Sequence, residues 1–295
     1  MSSETTVDRS VWIQVPVALF FWGSVPVIVR GIEAEPFTIG VERLSVATLL
    51  VGLILLRWEE LRRLRRSDVW GLAAIGGSFA AHWALYFFSI KTSSASIGAI
   101  GLASYGVQLL LLQSLVYRQR LRRIDLLAVS LGVGGSILII PEFSLQDNVT
   151  AGILLGVVSS FFFAVLPLLH RAYSHLSTSM RTFGQFAFGF LAFAVFLPWT
   201  RWELQPLDWL GLAYLTIFCT FVSHTMWVRV TTALEPATTS TIYYIYLPVS
   251  LGFAAVLLGE RLDLRTLAGA CLVVAGSIIG IRNQLRRDRR PPASQ

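Results

Sequence analysis

Apolar runs of about 20 residues follow one another along the whole chain, separated by short polar or turn-forming breaks. Each run is long enough to cross a hydrocarbon layer of roughly 30 Å as an α-helix. The pattern predicts ten helices, over residues 11–30, 38–56, 69–90, 94–117, 124–141, 151–170, 180–199, 209–231, 236–258 and 265–281. The breaks are Glu33-Ala34-Glu35-Pro36, the Arg62-Arg63-Leu64-Arg65-Arg66 run, Arg118 to Arg123, Pro141 to Asn148, Trp199 to Pro206 and Glu260-Arg261. The narrowest break, Lys91 to Ser93, divides the third helix from the fourth. The first run follows Asp8 and Arg9 and has no small-residue cleavage site after it, so it is expected to stay as a membrane helix rather than leave as a signal peptide.

Composition agrees. Of 295 residues 55% are apolar and only 14% charged, whereas a water-soluble domain carries about a quarter of its residues charged. Ten spans of about 20 residues take about 200 positions, which leaves short loops and two tails and no room for a soluble domain. The fold class is therefore all-α integral membrane. The net charge of +7 in a soluble protein would suggest nucleic acid; here cytoplasmic loops account for it, and no nucleic-acid partner is expected. With the amino terminus inside, 18 of the 24 basic residues fall on the cytoplasmic side, five on the other and Arg43 within a span. This predicts a multi-pass protein of the cell inner (plasma) membrane with both termini cytoplasmic. Cys219 and Cys271 both fall inside apolar runs, so neither a disulfide framework nor a metal knuckle is available, and no metal or other cofactor is expected.

A shift of 141 residues brings the two halves into register: Phe21-Trp22-Gly23 meets Phe162-Phe163-Ala164, Pro26 meets Pro167, Arg30 meets Arg171, and Gly135-Ser136-Ile137 meets Gly276-Ser277-Ile278. Tyr86 meets Trp227, Tyr105 meets Tyr246, and Arg120-Leu121 meets Arg261-Leu262. The chain thus divides into a tail (1–10), a five-helix repeat (11–141), a connecting loop (142–150), a second five-helix repeat (151–281) and a basic tail (282–295). Five is odd, so the second repeat is expected to lie inverted relative to the first.

This organisation resembles the EamA family of the drug/metabolite transporter superfamily. The resemblance rests on Phe21-Trp22-Gly23-Ser24, Glu42-Arg43-Leu44, Tyr86 to Ser94, Leu234-Glu235-Pro236-Ala237, Leu247-Pro248-Val249, Leu258-Gly259-Glu260-Arg261-Leu262 and Leu267-Ala268-Gly269-Ala270. In the first half the Gly-Glu-Arg-Leu element has decayed to Arg118-Gln119-Arg120-Leu121, with Val107 where Pro248 would fall. The resemblance implies a secondary carrier of small organic metabolites, amino acids or related compounds foremost, and export as its direction.

Polar side chains in membrane helices are costly unless they face a partner, water or the bundle interior. On the fourth helix Ser94, Gly98, Gly101, Tyr105 and Gln108 form one stripe, and on the ninth Thr239, Tyr243, Tyr246 and Ser250 form another. Tyr105 and Tyr246, mates under the shift, are expected to face one central cavity, against the alternative that the stripes are packing glue. His82 and Tyr86 on the third helix, and Thr220, His224 and Trp227 on the eighth, join the candidates, with Trp22 and Phe163 closing the cavity. Either histidine has a structural hydrogen bond as its alternative to a substrate or proton role. Glu42 and Arg43 are the charged pair inside a predicted span; as neighbours they project about 100° apart, and Arg43 is either a structural anchor or a ligand for a solute carboxylate. Trp199, Trp202 and Trp209 read as an interfacial belt. Gly276 and Gly280 on the tenth helix, with Ala128, Gly132 and Ser136 on the fifth, permit close packing and a homodimer through these helices.

The resulting expectation is alternating access around an aromatic, hydrogen-bonding cavity that holds a small-molecule substrate within the lipid bilayer, with a multidrug or other metabolite permease as the alternative. An integral-membrane enzyme using His82 or His224 lacks support: the chain has no His-Glu-x-x-His, no Gly-x-Ser-x-Gly and no phosphate loop. The topology is testable by cysteine labelling: a probe at Asp147 should react with an impermeant reagent added outside and one at Arg65 should not. The reverse pattern overturns the orientation.

Overall fold

The computed structural model describes residues 8–118, 122–139, 148–261 and 263–288; among them the chain is helical, without strands. Asp8 caps the first helix, α1 (Arg9–Gly31), accepting from the Ser10 backbone N–H at 3.0 Å. The Ser10 hydroxyl and N–H together hold this carboxyl below the ordinary range. There follow α2 (Pro36–Leu50), which ends in a π-helical turn Val51–Leu55, a short α3 (Trp58–Leu61), and α4 (Arg66–Thr92). Next come α5 (Ala95–Leu102), α6 (Tyr105–Tyr117) and α7 (Arg123–Ile139). The second half holds α8 (Asn148–Ala172), α9 (Thr178–Ala194), α10 (Pro206–Tyr214), a π-helical stretch Leu215–Val222 and α11 (Ser223–Ala233). It closes with α12 (Pro236–Tyr243), α13 (Tyr246–Leu258) and α14 (Leu264–Asp288).

The predicted segments overlap helix where their residues are described, and the narrow break holds: Ser93 ends α4, and the Ser94 hydroxyl caps α5 by accepting from Ile97 N–H at 3.2 Å. Among the described residues seven stretches are long and apolar enough to span: Arg9–Gly31, Pro36–Leu55, Arg66–Thr92, Ala95–Tyr117, Asn148–Ala172, Pro206–Ala233 and Thr238–Leu258. α7 and α9, at 17 residues each, fall just short of that length, about 26 Å at 1.5 Å per residue. The residues 140–147, including the labelling position Asp147 and most of the connecting loop, lie outside the described residues.

Helix boundaries repeat with the shift read from the sequence. α5 and α12, α6 and α13, and the starts of α7 and α14 are offset by 141 residues, as are the ends of α1 and α8 and of α4 and α11. The fourth and ninth predicted helices are not continuous. Both leave the regular α-helix at the same register, Ala103–Ser104 and Tyr244–Ile245, where i→i−3 hydrogen bonds such as Ser104 N–H to Gly101 O and Ile245 N–H to Ile242 O tighten the turn. Pro248 removes a backbone donor just after the second break, but Val107 holds the equivalent place after the first, so proline is not what imposes it.

Helix ends are tied across elements in matching ways. Arg30 Nη1 donates to Lys91 O, at the end of α4, at 2.9 Å; its mate Arg171 donates to Thr231 O at 3.0 Å and to Leu234 O, at the end of α11. Asp208 accepts from Glu33 N–H in the loop after α1, and Asp68 pairs with His175 Nε2 in the loop after α8 at 2.9 Å. At the other end of α1, Asp8 pairs with Arg229 of α11 at 2.7 Å. The partnerships between helices exchange in the same way: α4 packs on α8 as α11 packs on α1, and α6 on α8 as α13 on α1.

α7 and α14 pack along one another, and a Cβ on Gly276 would lie 2.5 Å from Ala128 O. The small-residue faces expected to permit close approach thus meet each other inside one chain. The exterior is apolar, with Leu53, Trp70, Leu115, Val256 and Leu264 among the exposed side chains, while Arg43, His82, Gln185 and His224 are buried. That is the distribution for lipid, not for water. Trp199, Trp202 and Trp209 are exposed around the turn between α9 and α10, where the interfacial belt was expected.

One mated pair of helix ends differs in cost. α6 ends on Arg118 with φ 50° and α13 ends on Gly259 with φ 67°, the left-handed conformation that glycine adopts freely and other residues do not. Arg118→Gly should raise the thermal midpoint of the detergent-solubilised protein, and Gly259→Ala should lower its stability by about 1 kcal/mol.

Candidate functional site

Aromatic side chains from both halves converge between α1, α4, α8, α11 and α12. They enclose a cavity of about 30 Å³ lined by Trp22, Val25, Arg43, His82, Trp83, Tyr86, Phe87, Leu102, Phe163, His224, Tyr243 and Tyr246. Three pairs in this set are mates under the 141-residue shift: Trp22 with Phe163, Trp83 with His224, and Leu102 with Tyr243. Trp22 and Phe163 meet edge to face at 5.6 Å between centroids, and Trp83 and His224 lie 5.8 Å apart. A space of this size has room for only a water or two, far below the few hundred Å³ a small organic ligand fills. The lining must separate for a solute to enter.

The third-helix segment brings two groups to this wall. The Ser159 hydroxyl donates to His82 O at 2.7 Å, so its bond to His82 Nδ1 at 2.8 Å has the imidazole as donor, and neutral His82 keeps Nε2 as an acceptor. One turn on, Tyr86 Oη is hydrogen-bonded to Tyr246 Oη, joining α4 to the first residue of α13. Trp22 Nε1 donates to Cys219 O at 3.0 Å.

Arg43 lies at the cavity edge and is 1% exposed. Its Nε donates to Thr220 Oγ1 at 3.0 Å, its Cζ sits 4.1 Å from the Trp83 ring centroid, and its Nη1 has no hydrogen-bond partner. Glu42 turns elsewhere, accepting from Thr216 Oγ1 at 2.7 Å. Among the described residues Arg43 forms no ion pair. The π-helical stretch is what gathers these partners, because it supplies Thr216, Cys219 and Thr220 together to α1 and α2. A π-helical turn loosens the i→i−4 ladder, and such turns occur often at functional sites.

Of the residues expected to line a cavity, Trp22, His82, Tyr86, Phe163, His224, Tyr243 and Tyr246 do so. Tyr105 is one layer behind: wholly buried, it packs on Tyr243 at 4.3 Å and Phe163 at 4.7 Å, and its hydroxyl makes no hydrogen bond of standard geometry. Trp227 packs on Trp22 at 5.2 Å and also stands behind the wall. Gln108 is not in the cluster; its amide donates to Val157 O at 3.1 Å and accepts from the Ser160 hydroxyl on α8. Trp83 and Phe87, the aromatic bed of Arg43, were not anticipated. Their signal was present in the sequence as Phe79, Trp83 and Phe87, spaced by four on the helix that follows Arg43.

An apolar-surfaced helical bundle with two internally related halves around a buried aromatic chamber is the architecture of a membrane carrier. The chain belongs to the EamA-like transporter family, which matches it twice, over residues 12–140 and 150–281. It is 23% identical over 270 residues to an uncharacterized transporter of Bacillus subtilis (strain 168), covering 90% of this chain and 87% of that one. It is 24% identical over 286 residues to an uncharacterized transporter of Archaeoglobus fulgidus, covering 92% and 99%. A solved crystal structure superposes with a TM-score of 0.75 at 15% identity, over 94% of this chain and 98% of the other; at that identity the likeness is one of fold.

Packing separates the roles of the two mated tyrosines. Tyr105→Ala should cost about 3–5 kcal/mol, read as a lower thermal midpoint, because it empties a buried ring site. Tyr105→Phe should be close to neutral, since the lost hydroxyl faces the Trp227 indole without a hydrogen bond of standard geometry. Tyr246→Phe should cost about 1 kcal/mol for its bond to Tyr86.

Proposed function

We propose that the chain is a ten-span secondary carrier whose two five-helix halves are inverted, with both termini on the cytoplasmic side of the inner (plasma) membrane. The observation that carries the reading is the meeting of mate residues at one chamber, which puts the chamber on the axis relating the halves. The inversion is supported by helix ends. The two ends of α1 lie about 34 Å apart, and one is bonded to the end of α4 while the other pairs with Arg229 near the end of α11. The mates α4 and α11 therefore run in opposite directions. A homodimer through α7 and α14 would use their outer faces, where Leu126, Leu127, Leu267 and Leu272 are exposed.

Transport proceeds by alternating access: the halves rock about the central chamber, exposing it to one side and then the other. The closed lining corresponds to a state between the two openings. Opening toward either face separates α4 from α13 and breaks the Tyr86–Tyr246 bond. The solute is a small organic metabolite with an aromatic or apolar body, amino acids and related compounds being the class the family resemblance implies, and net movement is outward. Glu42, with a hydroxyl partner and no ion-pair partner, is the group suited to carry a coupling proton.

Reconstitution in proteoliposomes tests this. Counterflow of a transported metabolite should be saturable and should fall at least tenfold in Trp22→Ala and Tyr243→Ala. If Glu42 couples a proton, an imposed pH gradient should drive accumulation in the parent protein, and Glu42→Gln should lose that drive while retaining exchange. Downhill flux indifferent to the gradient in the parent removes the proton role; absence of saturable flux across a broad metabolite panel removes the carrier reading.

A further inference from the structure

The chamber holds one formal cation and no acid. Arg43 presents an unpartnered Nη1 at its edge, and no aspartate or glutamate is among the lining residues. Its neighbour Glu42 hydrogen-bonds to Thr216 and reaches the guanidinium only through space, without a direct ion pair, and its mate in the other half is Gly184, so no second charge enters by symmetry. Within the protein the guanidinium has one hydroxyl and an aromatic face, which orient it but do not neutralise it. A buried charge without a counter-ion is strongly disfavoured. An apolar side chain of similar length would rest on Trp83 without that penalty. Guanidinium is the side chain whose planar fork matches carboxylate, and its unpaired edge is the one left free by the Thr220 bond.

We infer that the transported solute bears a carboxylate that docks on Arg43, with its apolar or aromatic body against Trp22, Phe163 and Tyr243. This rests on the reading of the chamber as the solute site and names the chemical class it takes. The single-charge lining has a second consequence: a carboxylate is required and an ammonium is dispensable. Simple acids and zwitterions bind, while the corresponding amides and amines do not. A docked carboxylate also supplies the direct ion pair that Arg43 lacks among the described residues, so binding should stabilise the folded protein.

The experiment uses the full chain in lipid nanodiscs and reads the thermal unfolding midpoint at constant ionic strength. Probes of one size are compared: 3-phenylpropanoate, phenylalanine, 3-phenylpropanamide and 2-phenylethylamine, with inorganic phosphate as a plain anion. The acid and the zwitterion should raise the midpoint in a saturable way, and the amide, amine and phosphate should not. Arg43→Gln should weaken the acid by about 10- to 100-fold, with partial recovery in Arg43→Lys. Equal action of acid and amide, an acid effect that survives Arg43→Gln, action by phosphate alone, or no response to any probe each overturns the proposal. The acid-against-amide contrast in the parent protein needs no variant, so a misfolded Arg43→Gln does not remove the test. Trp22→Ala separates the two levels: if it abolishes binding of an amide that acts as well as the acid, the chamber stands and the charge rule fails, whereas if it leaves every response intact, the chamber is not the solute site.

Discussion

Hydrocarbon offers no hydrogen bonds, and the arrangement of this chain answers to that constraint before any other. Every helix end leaves carbonyls or N–H groups that lipid cannot satisfy. Here long basic side chains reach the ends of neighbouring helices: Arg30 caps α4 and Arg171 caps α11, while Asp68 and Asp208 take up N–H groups at the starts of their own helices and reach across to the loops His175 and Glu33 occupy. The same ties that satisfy the backbone fix which helix stands beside which. The interior consequently holds the polar side chains and the exterior the apolar ones.

The approximate symmetry these ties create is broken where chemistry is needed. Mate positions supply Trp22 against Phe163 and Leu102 against Tyr243, unequal rings or shapes at equivalent places. Arg43 stands against Gly184, whose missing side chain lets Leu72 pack close, with a Cβ there 2.6 Å from it. One half therefore contributes a charge and the other a tight helix contact.

The departures from regular α-helix lie around the same chamber. The tightened turns at 103–104 and 244–245 sit beside Tyr105 and Tyr246, and the π-helical stretch carries the partners of Trp22, Glu42 and Arg43. Local departures from the i→i−4 ladder lower the cost of bending a helix.

Much of this was legible in the sequence. Apolar run length gave the helices, the fixed 141-residue offset gave the two halves, and small or turn-forming residues gave their ends; these are local or periodic signals that one chain carries by itself. The aromatic lining was legible too, because Trp22, Phe163 and the tyrosines of the ninth helix are polar-tipped or bulky exceptions within apolar runs. What the sequence left open is what two segments decide together. Gln108 lies one turn beyond Tyr105 on the same helix, yet its amide pairs with Ser160 of α8 rather than entering the chamber. Glu42 and Arg43 are adjacent, and only the packing of the π-helical stretch against α2 separates them, giving the acid to Thr216 and leaving the guanidinium on Trp83, with one edge free. Helical periodicity reports the face on which a residue lies; which partner fills that face depends on the register between helices far apart in the chain, and only the folded bundle sets that register.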